Sequence, residues 1–387
     1  MARPSSDTAP YDIAIVGAGL SGGLLALALR VQRPGLRLAL IDGAQRPGGN
    51  HIWSFFGEDV APEDRWLVDP LVTRAWSGHD VQFSDFSRSL TGSYASIESE
   101  GLDAALRSAM PADALMLGHA AMELSPHVVR LVNGESIRAE TVIDARGAQD
   151  MPSLQLGWQK FLGQLWTLDA PHGVTRPMIM DATVDQTEGY RFVYLLPFSP
   201  NQIFIEDTYY STVPALDVTR LSGLIADYVS ARGWRGAPVG RAETGVLPVC
   251  MGGDVAPLIA GAVPRIGVGA GFFHALTGYS LPDAVRVATH LAALPDLGHE
   301  ALLATTRNLA RRHWKGQAFY RLLAAMLFRA AEPAERHRVL ARFYRLDPAL
   351  VARFYAGRSN FWDKLRIVSG RPPVPLRRAI AALGAPQ

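Results

Sequence analysis

The chain has 387 residues, of which 48% are hydrophobic and 19% are charged, and its formal net charge at pH 7 is +2. These totals are typical of an ordered globular protein with room for two domains. The lone cysteine, Cys250, excludes a disulfide framework and a cysteine-based metal site, and the ten histidines show no metal-ligand spacing. Residues 1–10 lack the apolar stretch of a signal peptide, and no apolar run is long enough to span a bilayer. We therefore expect a cytoplasmic protein with a flexible N-terminus and no metal site.

The first apolar segment predicts a βαβ unit. Strands at Asp12–Val16 and Arg37–Ile41 flank a helix over about Ser21–Gln32, and a glycine-rich turn joins the first strand to the helix. This order is typical of an α/β fold with a Rossmann-like dinucleotide-binding domain.

The glycine-rich turn reads G-x-G-x-x-G, with Gly17, Gly19 and Gly22 in the glycine positions. The first glycine permits the tight turn, the second lets the backbone approach a pyrophosphate, and the third lets the helix pack closely on the strand. The N–H groups at the start of the helix attract the phosphates, and Asp42 is placed to accept hydrogen bonds from a ribose. The turn therefore predicts a dinucleotide site, and the alternative is a turn whose glycines serve packing alone.

Three later patterns favour FAD over NAD. The acid at Asp42 is followed by a basic residue and a glycine pair, which resembles the FAD motif of glutathione-reductase-type flavoproteins. A hairpin around Asn133-Gly134 leads into an apolar strand with a small-residue turn at its end, which resembles the second motif of that class. A predicted strand over Arg265–Val268, a glycine-rich loop and a helix from about Pro282 resemble the third. The FAD-binding residues that these motifs add are Arg46, Gly48, Gly49, Asp144, Arg146, Gly147, Gly269, Gly271, Thr277, Gly278 and Tyr279.

The region 151–246 lacks a βαβ rhythm. Its consecutive strand-like segments, joined by short turns, predict a mostly antiparallel sheet inserted into the FAD-binding domain. Aromatic residues recur along these strands, and they either form a core face or line a long apolar tunnel. The candidate substrate-binding residues are Trp158, Tyr190, Phe192, Tyr194 and Phe204 in this region, and Trp53 upstream of it.

Two adjacent carboxylates, Glu206 and Asp207, lie in one of these strand-like segments. In a regular strand, adjacent side chains point to opposite faces, so only one of the two can enter a given pocket. An apolar pocket raises the pKa of a carboxyl and keeps it protonated, which suits a catalytic acid. We expect Glu206 to be the acid and Asp207 to support it, and the alternative is that both are structural. The sequence leaves open which face of the strand is turned inward.

The C-terminal region is strongly basic and helical in pattern. Residues 301–387 contain 17 Lys and Arg against 4 Asp and Glu, a net charge of +13, while the rest of the chain carries −11. One interpretation is a helical cap whose arginines are solvated, and the other is a surface that binds anionic lipid. Nucleic acid is disfavoured because no recognised binding module accompanies the charge. The predicted division is a flexible segment at 1–10, an FAD-binding domain at 11–150 and 247–300, a substrate domain at 151–246, and this basic region at 301–387.

Several stretches are not general to flavoproteins and resemble bacterial lycopene β-cyclases, a flavin-dependent family of carotenoid biosynthesis. They include GNHIWSFF from Gly49, GWQKFLGQ from Gly157, IEDTYYS from Ile205, ETGVLPV from Glu243 and GAGFFHALTGYSLPDAV from Gly269. The resemblance covers most of the chain.

This resemblance implies a bound FAD that is active in the reduced form, with NADPH as the source of electrons, although no net electrons reach the substrate. It also implies lycopene or a related acyclic carotenoid as substrate, Glu206 as the proton donor, and a reductase or other pathway enzymes as possible partners. The protein would then be a cytoplasmic enzyme that is peripherally attached to the membrane. Two alternatives remain open: an FAD-dependent hydroxylase or reductase of a large apolar substrate, and an isoprenoid carrier without flavin.

Overall fold

The computed structural model describes residues 11–148, 150–186 and 189–370, which form two sheets and a helical C-terminal region. In chain order the strands are β1 (Tyr11–Val16), β2 (Leu38–Asp42), β3 (Ile52–Phe56), β4 (Arg74–Phe83), β5 (Phe86–Glu98), β6 (Leu115–Leu117), β7 (Ala121–Leu124), β8 (Val128–Leu131), β9 (Ser136–Asp144), β10 (Leu154–Leu168), β11 (Met178–Asp181), β12 (Arg191–Ser199), β13 (Gln202–Ser211) and β14 (Gly236–Gly253). The α-helices are α1 (Leu20–Gln32), α2 (Arg65–Val68), α3 (Ser99–Ala109), α4 (Val218–Ala231), α5 (Leu281–Ala292), α6 (His299–Gly316), α7 (Ala318–Arg329), α8 (Arg336–Tyr344), α9 (Pro348–Tyr355) and α10 (Phe361–Val368). The predicted mixed α/β class, with an inserted antiparallel sheet and a helical C-terminal region, is confirmed.

The smaller sheet has six strands in the order β6-β2-β1-β9-β8-β7. Strand β1 pairs in parallel with β2 on one side and with β9 on the other. Helix α1 connects β1 to β2, so the predicted βαβ unit is present. The predicted hairpin around Asn133-Gly134 joins β8 to β9, with Gly134 at a φ of +88° that the tight turn requires.

The larger sheet has eight strands in the order β14-β10-β13-β12-β11-β4-β5-β3. All neighbours are antiparallel except β11 and β4, which are parallel. Three of its strands, β3, β4 and β5, come from inside the range predicted for the FAD-binding domain. Sheet membership therefore does not follow the predicted domain boundaries, which stay predictions.

Two hydrophobic clusters cover opposite faces of the larger sheet. On one face, helix α4 packs on β10, β12 and β13 and buries Ile203 and Ile205 against Leu221 and Ile225. On the other face, the main core of the molecule includes Phe192 and Phe204 together with the helices of the smaller sheet. Because side chains alternate along a strand, this packing decides which residues of β13 face the interior between the two sheets.

The strand predicted over Arg265–Val268 is wrong. The backbone makes an isolated parallel bridge at Arg265 to Asp144 and then turns into a short 3-10 helix at Val268–Ala270. Gly267 has a φ of +73°, so the chain leaves the extended conformation before a ladder can form. The helix that follows begins at Leu281, one residue before the predicted start.

The predicted helical C-terminal region is confirmed as helices α6 to α10. Within residues 11–148, 150–186 and 189–370, no helix combines the length and the apolar character needed to cross a membrane. The expected flexibility of residues 1–10 concerns a segment outside the described residues.

Candidate active site

A cavity of about 780 Å³ lies between the two sheets. Its lining comes from the glycine-rich turn after β1, the segment around β3, the turn after β9, strands β10, β12, β13 and β14, and the loop before α5. The structure brings many of the predicted site residues together here. Those that line the cavity are Gly17, Gly19, Asp42, Gly48, Trp53, Arg146, Gly147, Phe192, Tyr194, Phe204, Glu206, Thr277, Gly278 and Tyr279.

Other predicted site residues lie outside the lining, and several have packing roles. Asp144 is buried and holds Arg146 through two hydrogen bonds of 2.9 and 3.0 Å, so it orients a cavity residue from behind. Trp158 lies on the far face of β10, because the cavity face presents Gln159 and Phe161. Tyr190 is fully buried and donates its hydroxyl to the sulfur of Met180. The remaining predicted residues outside the lining are Gly22, Arg46, Gly49, Asp207, Gly269 and Gly271.

The glycine-rich turn has the geometry that a dinucleotide phosphate requires. A Cβ on Gly22 would lie 1.9 Å from the carbonyl oxygen of Gly17, and a Cβ on Gly17 would lie 2.7 Å from Ala145. These two glycines therefore serve close packing of α1 and β9 on the turn. Gly19 differs because no protein atom lies within 4 Å of a Cβ built there, and the residue borders the cavity.

Helix α1 begins beside this open space without a side-chain cap and without an acidic residue in its first turn. Its first N–H groups and its positive end are thus available to an anion. The carboxylate of Asp42 accepts hydrogen bonds from the N–H groups of Ala18, at 2.6 Å, and Ala44, at 2.8 Å, which fixes it at the rim. Helix α5 also begins at the cavity, with Ser280 and Leu281 in the lining and no side-chain cap.

The two adjacent carboxylates of β13 point to opposite faces. Phe204 and Glu206 face the cavity, whereas Asp207 lies on the α4 face and is completely buried. There Asp207 receives hydrogen bonds from Arg191, with Nε to Oδ1 at 3.0 Å and Nη2 to Oδ2 at 2.6 Å. The sequence did not indicate which face of β13 is turned inward. In the structure it is the face that carries Glu206.

Glu206 sits in an apolar and aromatic part of the cavity. Its neighbours in the lining include Tyr94, Tyr194, Phe204 and Tyr210, and its Oε1 accepts a hydrogen bond from the hydroxyl of Thr208 at 2.7 Å. Burial, followed by the charge of a second glutamate, raises the pKa of Glu206 from an ordinary value of 4.5 to about 8. The side chain is half-buried, and it faces the cavity. A carboxyl in this position holds its proton at neutral pH.

The second glutamate is Glu243, on β14. It lines the same cavity and is only 4% exposed. Its Oε1 accepts a hydrogen bond from the N–H of Ile52 at 3.1 Å and lies 3.2 Å from Nδ1 of His51. Besides Asp42 at the glycine-rich turn, the cavity therefore contains two carboxyl groups from non-adjacent strands of the larger sheet.

Comparison with known proteins identifies the family. A family model described as "Lycopene cyclase protein" matches residues 12–381. The chain belongs to the lycopene cyclase family. It is 48% identical over 370 residues to a lycopene beta-cyclase of Pseudescherichia vulneris, an alignment that covers 95% of this chain and 96% of that protein. It is 42% identical over 379 residues to a lycopene beta-cyclase of Pantoea ananas, with 96% of this chain and 98% of that protein covered.

Solved structures with the same fold are more distant. A geranylgeranyl bacteriochlorophyll reductase-like protein from Thermoplasma acidophilum has a TM-score of 0.62 at 12% identity, covering 97% of this chain and 98% of that one. A flavin-dependent brominase has a TM-score of 0.59 at 15% identity, covering 90% of this chain and 94% of that one. At these identities the likeness shows the fold alone, which this member of the lycopene cyclase family shares with flavin-dependent enzymes.

Sequence reasoning did not assign a role to Glu243, although the ETGVLPV stretch that begins with it contributed to the family resemblance. The sequence does show that Glu243 begins an apolar, strand-like segment. Its meaning depends on the register of β14 against β10 and β13, and no local pattern encodes that long-range pairing.

Proposed function

We propose that the protein is a lycopene β-cyclase that binds FAD, requires it in the reduced form, and transfers no net electrons to its substrate. It converts the ψ-end groups of lycopene into β-ionone rings and gives γ- and β-carotene. Family membership supports the substrate class, and one observation carries the chemistry. That observation is a carboxyl group, Glu206, held with a raised pKa on the aromatic wall of a cavity that begins at a dinucleotide-binding turn.

In this proposal the glycine-rich turn and the start of α1 hold the pyrophosphate of FAD, and Asp42 holds the ribose. The segment from Thr277 to Leu281, at the start of α5, faces the flavin end. These residues fit the cofactor because the backbone at Gly19 is open to the cavity and both helix starts lack side-chain caps. Reduced FAD, when bound, supplies negative charge near a carbocation.

The reaction begins when the protonated Glu206 gives its proton to the terminal double bond of the substrate. The tertiary cation that results is attacked by the neighbouring double bond, and a six-membered ring closes. Loss of a proton from the ring then gives the β-ionone product, so the sequence is an isomerisation. Aromatic rings of Tyr94, Phe192, Tyr194 and Phe204 line the cavity and stabilise positive charge through their π faces. The dry walls also keep water from capturing the cation.

The experiment that tests this assignment compares Glu206→Gln with the wild-type enzyme. Glutamine has nearly the same shape and still accepts the hydrogen bond from Thr208, but it cannot donate a proton to an alkene. We expect the variant to retain FAD and to melt no lower than the wild-type enzyme, while ring formation falls by about 100-fold or more, as for loss of a general acid. Retention of most of the cyclisation rate would refute the role of Glu206.

We further propose that NADPH supplies the electrons that reduce FAD, either directly or through a reductase. The assay mixes the oxidised holoenzyme with NADPH in the absence of oxygen, with and without an added flavin reductase. Bleaching of the flavin in either case supports the proposal, and an oxidised flavin in both cases contradicts it.

We also propose that the protein docks on an anionic membrane surface, where lycopene is dissolved. Helix α10 supports this because it exposes apolar side chains and buries an acidic one, the opposite of an ordinary surface helix. Phe361 is 70% exposed and Trp362 is 72% exposed, while Asp363 on the same helix is buried. The exposed apolar side chains of α10 are Phe361, Trp362, Leu365 and Val368.

Two contacts fix this orientation. Asp363 closes a capping box with Asn360, and it accepts two hydrogen bonds from Arg353 at 2.6 and 2.7 Å. Lys364 and Arg366 flank the apolar face, which is the pattern expected of a helix at the headgroup level of an anionic bilayer. Helix α9, which precedes α10, ends at Tyr355 in the cavity lining, so docking would bring the cavity close to the lipid.

Sedimentation with vesicles tests the docking proposal. The double variant Phe361→Ser/Trp362→Ser should lose binding to vesicles that contain phosphatidylglycerol but keep its turnover of detergent-solubilised lycopene. The matched control is Met122→Ser/Val132→Ser, because these side chains are 64% and 67% exposed elsewhere on the surface. Equal vesicle binding by the α10 variant and the control variant would contradict the proposal. An α10 variant that loses self-association but still binds vesicles would also contradict it.

A further inference from the structure

A row of cavity-facing positions crosses the centre of the larger sheet. Tyr194 lies opposite Glu206, Glu206 lies opposite Gly163, and Gly163 lies opposite Glu243. Directly opposed residues of antiparallel strands have Cα atoms about 5 Å apart, so the two glutamates stand about 10 Å apart at Cα. The position between them is a glycine, and it contributes no polar side chain of its own.

Apolar atoms cover this glycine. Cζ of Phe204 lies 2.2 Å from the place where a Cβ of Gly163 would stand, so the ring edge lies over the backbone between the two glutamates. Charges that are separated by buried apolar atoms are weakly screened. The charge of Glu243 accordingly acts on Glu206 and is the largest influence on its proton after burial itself.

The two carboxyl groups are held differently. Glu243 accepts a hydrogen bond from the backbone N–H of Ile52 and lies within hydrogen-bonding distance of the His51 ring. A backbone N–H has no acceptor to offer, so this contact favours the ionised form of Glu243. Glu206 instead contacts the hydroxyl of Thr208, which can serve as donor or acceptor and is compatible with either form. Two carboxylates that share a dry site do not both ionise readily, so the proton of the pair is held on Glu206.

The other ionisable groups around Glu206 do not reproduce this effect. Tyr94 and Tyr194 face it from β5 and β12, and burial raises the pKa of both phenols, so they stay neutral. Asp207 lies on the opposite face of the strand, where Arg191 offsets its charge at 2.6 Å. Asp42 also lines the cavity, but it lies beside the glycine-rich turn after β1. Glu243 is thus the carboxylate that lies in the same cross-strand row of the larger sheet as the acid.

We propose that Glu243 is a positioning residue of the cyclase, whose fixed negative charge keeps the catalytic proton on Glu206 until the substrate is in place. This inference rests on the proposed function. It adds a role for a second carboxylate, on a different strand from the acid.

The proton balance follows from the pair. When the O–H bond of Glu206 breaks, a C–H bond forms at the substrate double bond, and both carboxylates are then ionised beside the tertiary cation. After ring closure, a C–H bond next to the cationic carbon breaks, its electron pair becomes the ring double bond, and the proton returns to Glu206. No electron is gained or lost, and the pair is restored to one proton.

The test is the pH dependence of cyclisation in Glu243→Gln and Glu243→Asp. Holoenzymes are assayed anaerobically with reduced FAD and detergent-solubilised lycopene. In the wild-type enzyme, activity should fall as the pH rises through about 8, where Glu206 ionises. Glutamine keeps an oxygen for the N–H of Ile52 but removes the charge, so the midpoint should fall by about one pH unit or more, while aspartate should keep it close to the wild-type value. A purely structural role of Glu243 would lower the rate at every pH without moving the midpoint, and that result would overturn the inference.

A spectroscopic measurement covers the case in which Glu243→Gln has too little activity for a profile. Infrared difference spectra report the protonated carboxyl band of Glu206 directly, identified by its loss in Glu206→Gln. The band should titrate at lower pH in Glu243→Gln than in the wild-type protein, and an unchanged titration would overturn the inference. Failure of the proposed function looks different: the wild-type enzyme would form no rings at any pH, while the infrared comparison could still be made.

Discussion

The neighbouring carboxylates of β13 should respond to mutation in opposite ways. In the wild-type protein, Arg191 and Asp207 make hydrogen bonds of 2.6–3.2 Å, and their side chains are 8% and 0% exposed, respectively. Asp207→Asn leaves the buried Arg191 without a matching charge. Burial raises the pKa of Asp207, and the hydrogen bonds and charge of Arg191 oppose this shift. Burial also lowers the pKa of Arg191, but hydrogen bonding to Asp207 outweighs this, so the guanidinium keeps its charge and the bidentate contact is an ion pair. Removing one partner of a buried ion pair typically costs about 3–5 kcal/mol.

This cost translates into a measurable change in melting temperature. An unfolding entropy of about 2.1 cal/mol/K per residue gives about 0.8 kcal/mol/K for the 387-residue chain, so the loss corresponds to about 4–6 °C. Cyclisation per folded molecule should change only a few-fold, because Asp207 does not reach the cavity. Glu206→Gln should show the reverse, with no loss of melting temperature and a large loss of turnover.

The assay combines differential scanning calorimetry of the holoenzyme with single-turnover product analysis. A double variant, Arg191→Met/Asp207→Leu, is the matched control, because replacing both partners with apolar residues removes the unpaired charge and should recover most of the lost stability. An Asp207→Asn protein that melts like the wild-type enzyme but forms no rings would contradict a purely structural role of the Asp207–Arg191 pair.

Two further predictions concern the cofactor turn and the pH dependence of stability. Gly22→Ala should prevent FAD retention and lower the melting temperature, because its Cβ would lie 1.9 Å from the carbonyl oxygen of Gly17. Gly19→Ala should weaken FAD binding without destabilising the apoprotein, because no protein atom lies within 4 Å of its Cβ. Equal melting curves for the two apoproteins would contradict this prediction. Burial raises the pKa of Glu206 to about 8 and that of Asp59 to about 6, so between about pH 4 and these values the folded protein binds more protons than the unfolded chain. Stability should therefore fall as the pH rises through this window, and Glu206→Gln should flatten its upper part in denaturant titrations; an identical slope in both proteins would contradict this.

Local patterns were sufficient for the parts of the fold that depend on neighbouring residues. The βαβ unit was predicted to within one residue at each boundary because its glycine turn, apolar strands and closing acid lie within one short stretch. The hairpin at Asn133-Gly134 was predicted from its turn residues in the same way. The strand expected at Arg265–Val268 failed because Gly267 takes a positive φ, which the apolar pattern around it does not reveal.

The active site depended on pairings that are distant in sequence. Alternation along β13 separated Glu206 from Asp207, but only the packing of α4 on one face of the sheet decided which of them is turned inward. Trp158 was expected to bind substrate, yet the register of β10 places it on the far face. Glu243 joins the site through β14, which pairs with β10 rather than with β13 itself, so a pattern within either strand could not predict the contact.

In the proposed mechanism, cyclisation starts from a protonated carboxyl and leaves the flavin reduced. The most direct test incubates the purified holoenzyme, with its FAD reduced and oxygen excluded, with lycopene in D₂O, and records ring formation, flavin absorbance and deuterium content together. We predict many rings per enzyme, a solvent-derived deuterium in the first ring that each enzyme molecule forms after equilibration in D₂O, and a flavin that stays reduced. Oxidation of one reduced flavin for each product molecule, or a first turnover without deuterium, would contradict the proposed mechanism.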